Sequence, residues 1–270
     1  MHQDELFDVS REIVVITGVA GQLGIQYARA FLQRGATVFG LDLQLSQAGE
    51  RLVNDFPDTF FFHGADVTDK GSLLKALDAV NNRFGVPTVL INNAALDSPP
   101  SAPPEENGPF EEYPESSWDK VISVNLKGVY CCCQVFGGAM ARACRGAIIN
   151  ISSIYGVVSP DQSLYEYRRQ RGETYFKPVA YAVSKSGILN LTRYLATYWA
   201  KHGVRVNTLT IAGVFNNQEQ AFLDAYCSRI PVGRMADAHE YNGAILFLAS
   251  PASRYMTGSN MVVDGGWTAI

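Results

Sequence analysis

The sequence predicts an α/β fold, a doubly wound parallel sheet of about seven strands with helices on both faces. Three observations predict it. Short apolar runs alternate with amphipathic stretches along the whole chain. The runs are apolar at successive positions rather than at every second one, as in strands covered on two sides. A glycine-rich turn lies where the first run gives way to the first helical stretch.

In order, Ile13–Ile16 is a β-branched strand ending at Thr17-Gly18, followed by a helix over Gln22–Gln33 that Gly35 stops. Strand Thr37–Leu41, helix Ser46–Asp55 and strand Thr59–His63 come next. Helix Thr68–Arg83, capped by Thr68 or Asp69, leads to strand Thr88–Ile91. Pro99, Pro100, Pro103, Pro104, Pro109 and Pro114 then forbid regular structure, so about 97–115 is a long loop. Ser116 or Ser117 caps a helix reaching about Arg142, followed by strand Ala147–Ile151. A second irregular stretch, about 159–179, precedes helix Ala180–His202 and strand Val204–Leu209. Helices around Gln218–Arg229 and Ala238–Ala249 and a strand at Asn260–Val263 close the chain. Right-handed crossovers align the strands' C-terminal ends on one edge, where ligands bind and where both loops emerge.

The 270 residues fit one domain, and 47% hydrophobic content with a net charge of −4 excludes a disordered chain. The acidic balance, 22 basic against 26 acidic residues, argues against a nucleic-acid partner. No apolar run reaches the ~18–20 residues that span a bilayer. The polar start Met1–Glu5 is unlike a secretory leader, so a cytoplasmic protein with no membrane partner is expected. Cys131, Cys132 and Cys133 are adjacent, no C-x-x-C occurs, and no two histidines stand at i, i+4. Reduced buried thiols, with neither a metal site nor a disulfide framework, are expected.

Thr17-Gly18-Val19-Ala20-Gly21-Gln22-Leu23-Gly24 joins the first strand to the first helix. Glycines there let a pyrophosphate approach the backbone, and the helix N-terminus offers free N–H groups. Asp42 ends the second strand 24 residues after Gly18, where a carboxylate accepts both ribose hydroxyls of an adenosine and repels a 2′-phosphate. No Arg or Lys between Gly18 and Gly24 offsets that repulsion, so NAD is favoured over NADP. Tyr181 and Lys185 are one turn apart on a helix. An ammonium beside a phenol favours the phenolate and draws its pKa toward the working range of an acid–base catalyst. Ser152-Ser153 ends the fifth strand, and Asn125 lies in the preceding long helix.

With these pieces in this order, and with Asp66-Val67, Asn92-Asn93-Ala94-Ala95, Arg205-Val206-Asn207 and Val263–Trp267, the whole chain resembles the single-domain short-chain dehydrogenases/reductases. The resemblance implies a Rossmann-type fold and a catalytic set of Asn125, Ser153, Tyr181 and Lys185. Tyr181 would exchange a proton with the substrate oxygen while a hydride moves to or from the nicotinamide, and Ser153 would hydrogen-bond that oxygen. Lys185 would tune Tyr181 and hold the nicotinamide ribose, while Asn125 would position a water linking Lys185 to solvent. Besides Tyr181 and Lys185, the cofactor would meet Thr17, Gly18, Gln22, Leu23, Gly24, Asp42, Asp66, Val67, Asn93, Val214 and Asn216. A homotetramer or homodimer is implied, with Cys131–Cys133 buried on the helix that pairs between subunits.

Four departures from the family pattern stand out. Gln22 replaces a glycine, giving a Gly18-x-x-Gly21-x-x-Gly24 spacing like that of nucleotide-sugar epimerases and dehydratases. Ala95 replaces a glycine, Ile211-Ala212 replaces Pro-Gly, and Asn216 stands where a threonine is usual. Ser153 and Tyr181 are 28 residues apart, against about a dozen in the family. The excess carries Arg168, Arg169 and Arg171 beside Tyr165 and Tyr167. Arginine forks suit carboxylate or phosphate, and tyrosines lie flat on sugar rings. These arginines therefore either bind an anionic polyhydroxylated substrate or are solvated and paired with Asp161, Glu166 and Glu173. The expected activity is interconversion of a secondary alcohol and a ketone on a carbohydrate-type small molecule. The competing readings are an epimerase or dehydratase that retains its NAD and a non-catalytic dinucleotide sensor.

Overall fold

The computed structural model describes residues 5–97 and 104–270. The first strand, β1 (Ile13–Thr17), shows how the sheet is built. Val14 and Ile16 enter one core with Tyr27, Phe31 and Ile245, while Val15 enters the other with Leu73, Phe136 and Ile188. A β-branched residue at each position thus serves both faces. Helix α1 (Gln22–Leu32), β2 (Thr37–Asp42), α2 (Gln47–Asp55), β3 (Phe60–Gly64), α3 (Lys70–Phe84) and β4 (Val89–Asn92) follow. Ser46 Oγ caps α2 by accepting the Gly49 N–H at 3.3 Å, and Asp69, rather than Thr68, caps α3 through Gly71 at 2.8 Å. Residues 98–103, with Pro99, Pro100 and Pro103 of the proline-rich loop, lie outside the described residues.

The long helix starts at Glu115, with Pro114 rather than Ser116 or Ser117 at its N-cap. Pro114 has the extended geometry of a cap (φ −65, ψ 132), and its carbonyl accepts the Ser117 and Trp118 N–H groups. Glu115 then faces the positive end of the helix, so a serine cap adds nothing. The helix runs to Arg142 as α4 (Glu115–Ile122), α5 (Gly128–Cys132) and α6 (Gly138–Arg142), joined by π-turns Ser123–Lys127 and Cys133–Gly137. π-Turns inside helices concentrate at functional sites, and the first of these carries Asn125. Cys131, Cys132 and Cys133 are buried in the chain's own core. Burial raises the thiol pKa of Cys132 and Cys133, the latter to about 12, so both stay protonated at neutral pH.

After β5 (Gly146–Ser153), the stretch read as irregular contains a 3-10 turn at Gln162–Tyr165 and the single-turn helix α7 (Glu166–Arg169). Then come α8 (Val179–Trp199), β6 (Val204–Ile211), α9 (Gln220–Cys227), α10 (Asn242–Ala249) and β7 (Asn260–Val263). A 3-10 turn at Ala238–Tyr241, opened by an Asp237–Glu240 capping box, shortens the last helix relative to expectation.

Among the described residues the sheet has seven strands, all parallel, in the order β3-β2-β1-β4-β5-β6-β7. The chain builds outward from β1 through β2 to β3, then crosses to begin again at β4. The crevice between the ends of β1 and β4 is therefore the switch point where such sheets bind ligands. Among the described residues, no helix is long and apolar enough to cross a membrane.

Candidate active site

The turn after β1 is held in one shape. Gly18 has φ +65, and a Cβ there would sit 2.7 Å from Ala94 Cα. A Cβ on Gly24 would sit 2.2 Å from the Gly18 carbonyl oxygen, so only glycine lets α1 start this close to the strand. On Gly21 it would meet little, the Gly18 oxygen at 3.4 Å, so this rim is an open cradle. Asn93 braces the turn from behind, its amide nitrogen donating to the carbonyls of Thr17 (3.1 Å) and Gly18 (3.0 Å). Thr17 Oγ1 accepts the N–H groups of Asn93 and Ala94.

Asp42, at the end of β2, accepts the Ala20 N–H at 2.9 Å through one oxygen and its neighbour Leu43's through the other. The carboxylate is thereby fixed at the mouth of the cradle. Asp66 is exposed and accepts from Thr68 N–H and hydroxyl, while Val67 is buried against Gly128. A backbone cradle leading into a helix, with a fixed carboxylate beside it, fits a dinucleotide.

Gln22, the residue in place of a glycine, donates from Nε2 to the Phe215 carbonyl at 2.8 Å. It therefore bridges the cradle to the loop after β6. There the Val214 carbonyl accepts from the Gln218 amide, and Gln218 Oε1 takes the N–H of Asn216, whose side chain is exposed.

The expected catalytic residues converge at the ends of β5 and α8. Ser153 Oγ accepts the Tyr155 N–H at 3.2 Å, and Ser153 and Tyr181 line the same cavity. Lys185 Nζ is buried, donates to the Ile151 carbonyl at 3.0 Å and lies 5.8 Å from the Tyr181 ring centroid. Asn125 is fully buried and satisfied by the Leu96 backbone (2.7 and 2.8 Å), and it donates to Ser184 Oγ, next to Lys185, at 3.2 Å. It meets Lys185 through that neighbour rather than directly.

The expected lowering of the Tyr181 pKa is not found. Burial, then the Asp97 carboxylate, raise it, and the nearby Ser153 hydroxyl opposes them. The phenol therefore stays protonated at neutral pH. Burial also lowers the Lys185 ammonium to about 8, with Asp97 opposing.

A cavity of about 570 Å³ opens between these residues and the segment that follows β5. Leu23, Val214 and Asn216 line its cradle end, Ser153 and Tyr181 its centre, and Tyr155, Tyr165, Tyr167, Tyr175 and Tyr226 its far wall. Burial raises the pKa of each of these five phenols, so the wall is a set of neutral hydroxyls and aromatic faces.

Among the described residues the cavity lining contains none of Arg168, Arg169 and Arg171. Arg168 pairs with Glu173 and lies over the Tyr175 ring. Arg169 pairs with Glu166 and donates to the carbonyls of Gln162 and Tyr175. Arg171 pairs with Glu219. Acidic neighbours satisfy all three, and they brace the segment. The charged groups that do line the cavity, besides Glu219, are Lys177 and Asp97, which sequence reasoning missed. The available signal was position, since Lys177-Pro178 stands just ahead of the helix that carries Tyr181.

The family model described as Enoyl-(Acyl carrier protein) reductase matches residues 18–268. The chain belongs to the short-chain dehydrogenase/reductase family. Among its relatives is the D-threitol dehydrogenase of Mycolicibacterium smegmatis, 31% identical over 97% of this chain and 95% of that one. A short-chain dehydrogenase from Leptospira borgpetersenii, solved with bound NAD+, superposes with a TM-score of 0.84 at 31% identity, covering 99% and 98% of the two chains. A gluconate 5-dehydrogenase from Burkholderia cenocepacia, solved with NADP and tartrate, gives 0.84 at 26% identity and 98% of each chain. As a short-chain dehydrogenase/reductase, this protein is an NAD(P)-dependent oxidoreductase acting on CH–OH groups.

Proposed function

We propose that this one-domain enzyme interconverts a secondary alcohol and a ketone on a polyhydroxylated, carbohydrate-type substrate, with NAD preferred over NADP. The observation that carries the reading is the tyrosine-walled cavity that Ser153 and Tyr181 both line. Aromatic faces suit the C–H surfaces of a sugar chain, and neutral hydroxyls suit its oxygens. The relatives named for threitol and gluconate agree with it.

When bound, the dinucleotide supplies or accepts a hydride at its nicotinamide. The chain's part is to place the carbinol and move its proton. Ser153 hydrogen-bonds the reacting oxygen, and Tyr181 exchanges a proton with it at the phenolic oxygen. Lys185, with its ammonium 5.8 Å from the Tyr181 ring centroid, would hold the nicotinamide ribose, and Asn125 holds the Leu96 backbone and Ser184 around Lys185. The glycine turn and Gln22 would hold the phosphates, and Asp42 would hold the adenosine ribose and disfavour a 2′-phosphate. Asp66, Val67 and Asn93 would hold the adenosine end, and Val214 and Asn216 the nicotinamide.

We place the enzyme in the cytoplasm as a homodimer or homotetramer. The exposed, stacked Tyr194 and Tyr198 rings on α8 supply an aromatic surface for a second copy. The deciding experiment is a screen of polyols, sugars and sugar acids with NAD and NADP side by side, read by nicotinamide absorbance. Stoichiometric release of reduced dinucleotide with ketone supports the proposal. A dinucleotide retained through turnover, or no turnover with any of them, refutes it.

A further inference from the structure

The family-like part of the site, from the cradle to Tyr181 and Lys185, does not explain the ion pair at the far side of Tyr181. Lys177 ends the segment that separates Ser153 from the catalytic helix, and its ammonium pairs with Asp97 from the loop after β4. The Lys177 side chain is 7% exposed and that of Asp97 is 53%. Both line the cavity. Lys177 Nζ stands 5.0 Å from the centroid of the Tyr181 ring, closer than Lys185 at 5.8 Å.

The position of Lys177 is built, not incidental. Gln162 holds its backbone from both sides, accepting its N–H at Oε1 (2.8 Å) and donating from Nε2 to its carbonyl (3.1 Å). Pro178 follows with φ −62 as the N-cap of α8, so little freedom remains between Lys177 and Tyr181. A buried ammonium on a fixed backbone is a group whose loss of solvent must be offset by its partners.

We propose that Lys177 and Asp97 together read the hydroxyls next to the reacting carbinol, and so select an uncharged polyol over its acid. The ammonium can only donate and the carboxylate can only accept. A substrate hydroxyl does both, so one can accept from Lys177 and its neighbour can donate to Asp97 while the pair stays intact. A substrate carboxylate can take Lys177 only by competing with Asp97, and it would then face that carboxylate across the cavity. The two charges cancel, so the pair gives direction to hydrogen bonds without drawing anions in. This inference rests on the polyhydroxylated-substrate reading above and names the part of the site that enforces it.

The test compares kcat/KM for a hexitol, the matching aldonic acid and butan-2-ol, which lacks neighbouring hydroxyls, in the wild type, Lys177→Met and Asp97→Asn. Bound NADH fluorescence monitors the integrity of each variant. The wild type is expected to prefer the hexitol to both comparison substrates. Each variant is expected to lower the hexitol-to-butan-2-ol ratio by about 10- to 100-fold, the effect of losing a hydrogen bond to a charged group. Equal losses on both substrates would overturn the inference, because Lys177 would then act on Tyr181 and not on substrate hydroxyls. An unchanged ratio, or a wild type that prefers the acid, would overturn it as well.

Should Lys177→Met fail to bind NADH, Gln162→Ala carries the test, since it loosens Lys177 without removing a charge. A smaller fall in the same ratio supports the inference, and no fall overturns it. If the wild type turns over butan-2-ol but no polyhydroxylated compound, the substrate reading itself fails. If it turns over the hexitol and the variants keep the ratio, only the role of the pair fails.

Discussion

Lys185→Met should make the unliganded protein more stable at neutral pH while abolishing turnover. The ammonium is buried and its titration is lowered from 10.5 to about 8. While the lysine is charged in both folded and unfolded chains, this works against the fold by about 3 kcal/mol, at about 1.4 kcal/mol per pH unit. Methionine removes that cost and fills a similar volume, but it loses the bond to the Ile151 carbonyl at 3.0 Å, worth about 1 kcal/mol. The net gain near pH 7 is about 2 kcal/mol, or roughly 4–8 °C in Tm for a chain of this size.

The pH dependence is the sharper signature. The folded chain releases the proton first, so the cost is full below about pH 8 and is relieved as pH rises toward the unfolded value. Buried thiols and phenols titrate in both proteins, and their contributions cancel in the comparison. Thermal unfolding of both proteins, without dinucleotide and at equal concentration, should show the mutant's advantage shrinking by about 2 kcal/mol between about pH 7 and about pH 9.5. A mutant less stable than the wild type near pH 7, or a difference independent of pH, would refute the reasoning.

Tyr181→Phe should lower kcat by about 10³-fold or more while NADH still binds by fluorescence titration, since only the proton-exchanging oxygen is lost. Asp42→Ala should raise the NADP-to-NAD ratio of kcat/KM by about tenfold, because it removes a charge facing a 2′-phosphate. Gly24→Ala, whose Cβ would lie 2.2 Å from the Gly18 oxygen, should weaken NADH binding at least about tenfold and cost about 1–3 kcal/mol in urea unfolding. Arg169→Ala should cost about 1–2 kcal/mol, because it frees the Gln162 and Tyr175 carbonyls, whereas exposed Arg171→Ala should leave the urea midpoint nearly unchanged.

The sheet was legible because its signals are local. Val14, Val15 and Ile16 announce a strand covered on two sides, and Asn260–Val263 was delimited to the residue. The cluster of Ser153, Tyr181 and Lys185 was legible through the family resemblance, which carries the end of β5 and the start of α8 over together. The π-turns around Asn125 and Cys133 left no mark, since they change hydrogen-bond register without changing helical periodicity. The arginines' partners were legible only in part. Glu166 and Glu173 were visible as neighbours, but Glu219, which takes Arg171, is 48 residues away. Lys177 was hidden for the same reason, because its partner Asp97 is 80 residues earlier in a loop read for its prolines.

The Gln162–Lys177 clasp makes the pocket wall a replaceable part. Two bonds join residues 15 apart in sequence, so the loop between them is closed at its neck, and Arg169 within the loop adds a bond to the Gln162 carbonyl. Lengthening such a closed loop costs little, since closure entropy grows only with the logarithm of length. Residues 163–176 could then be exchanged for another segment with the neck, Pro178 and the catalytic helix left as they are. Part of the pocket wall and the bond-making chemistry are thus assigned to separate stretches of one chain, and the first can change without the second having to be rebuilt.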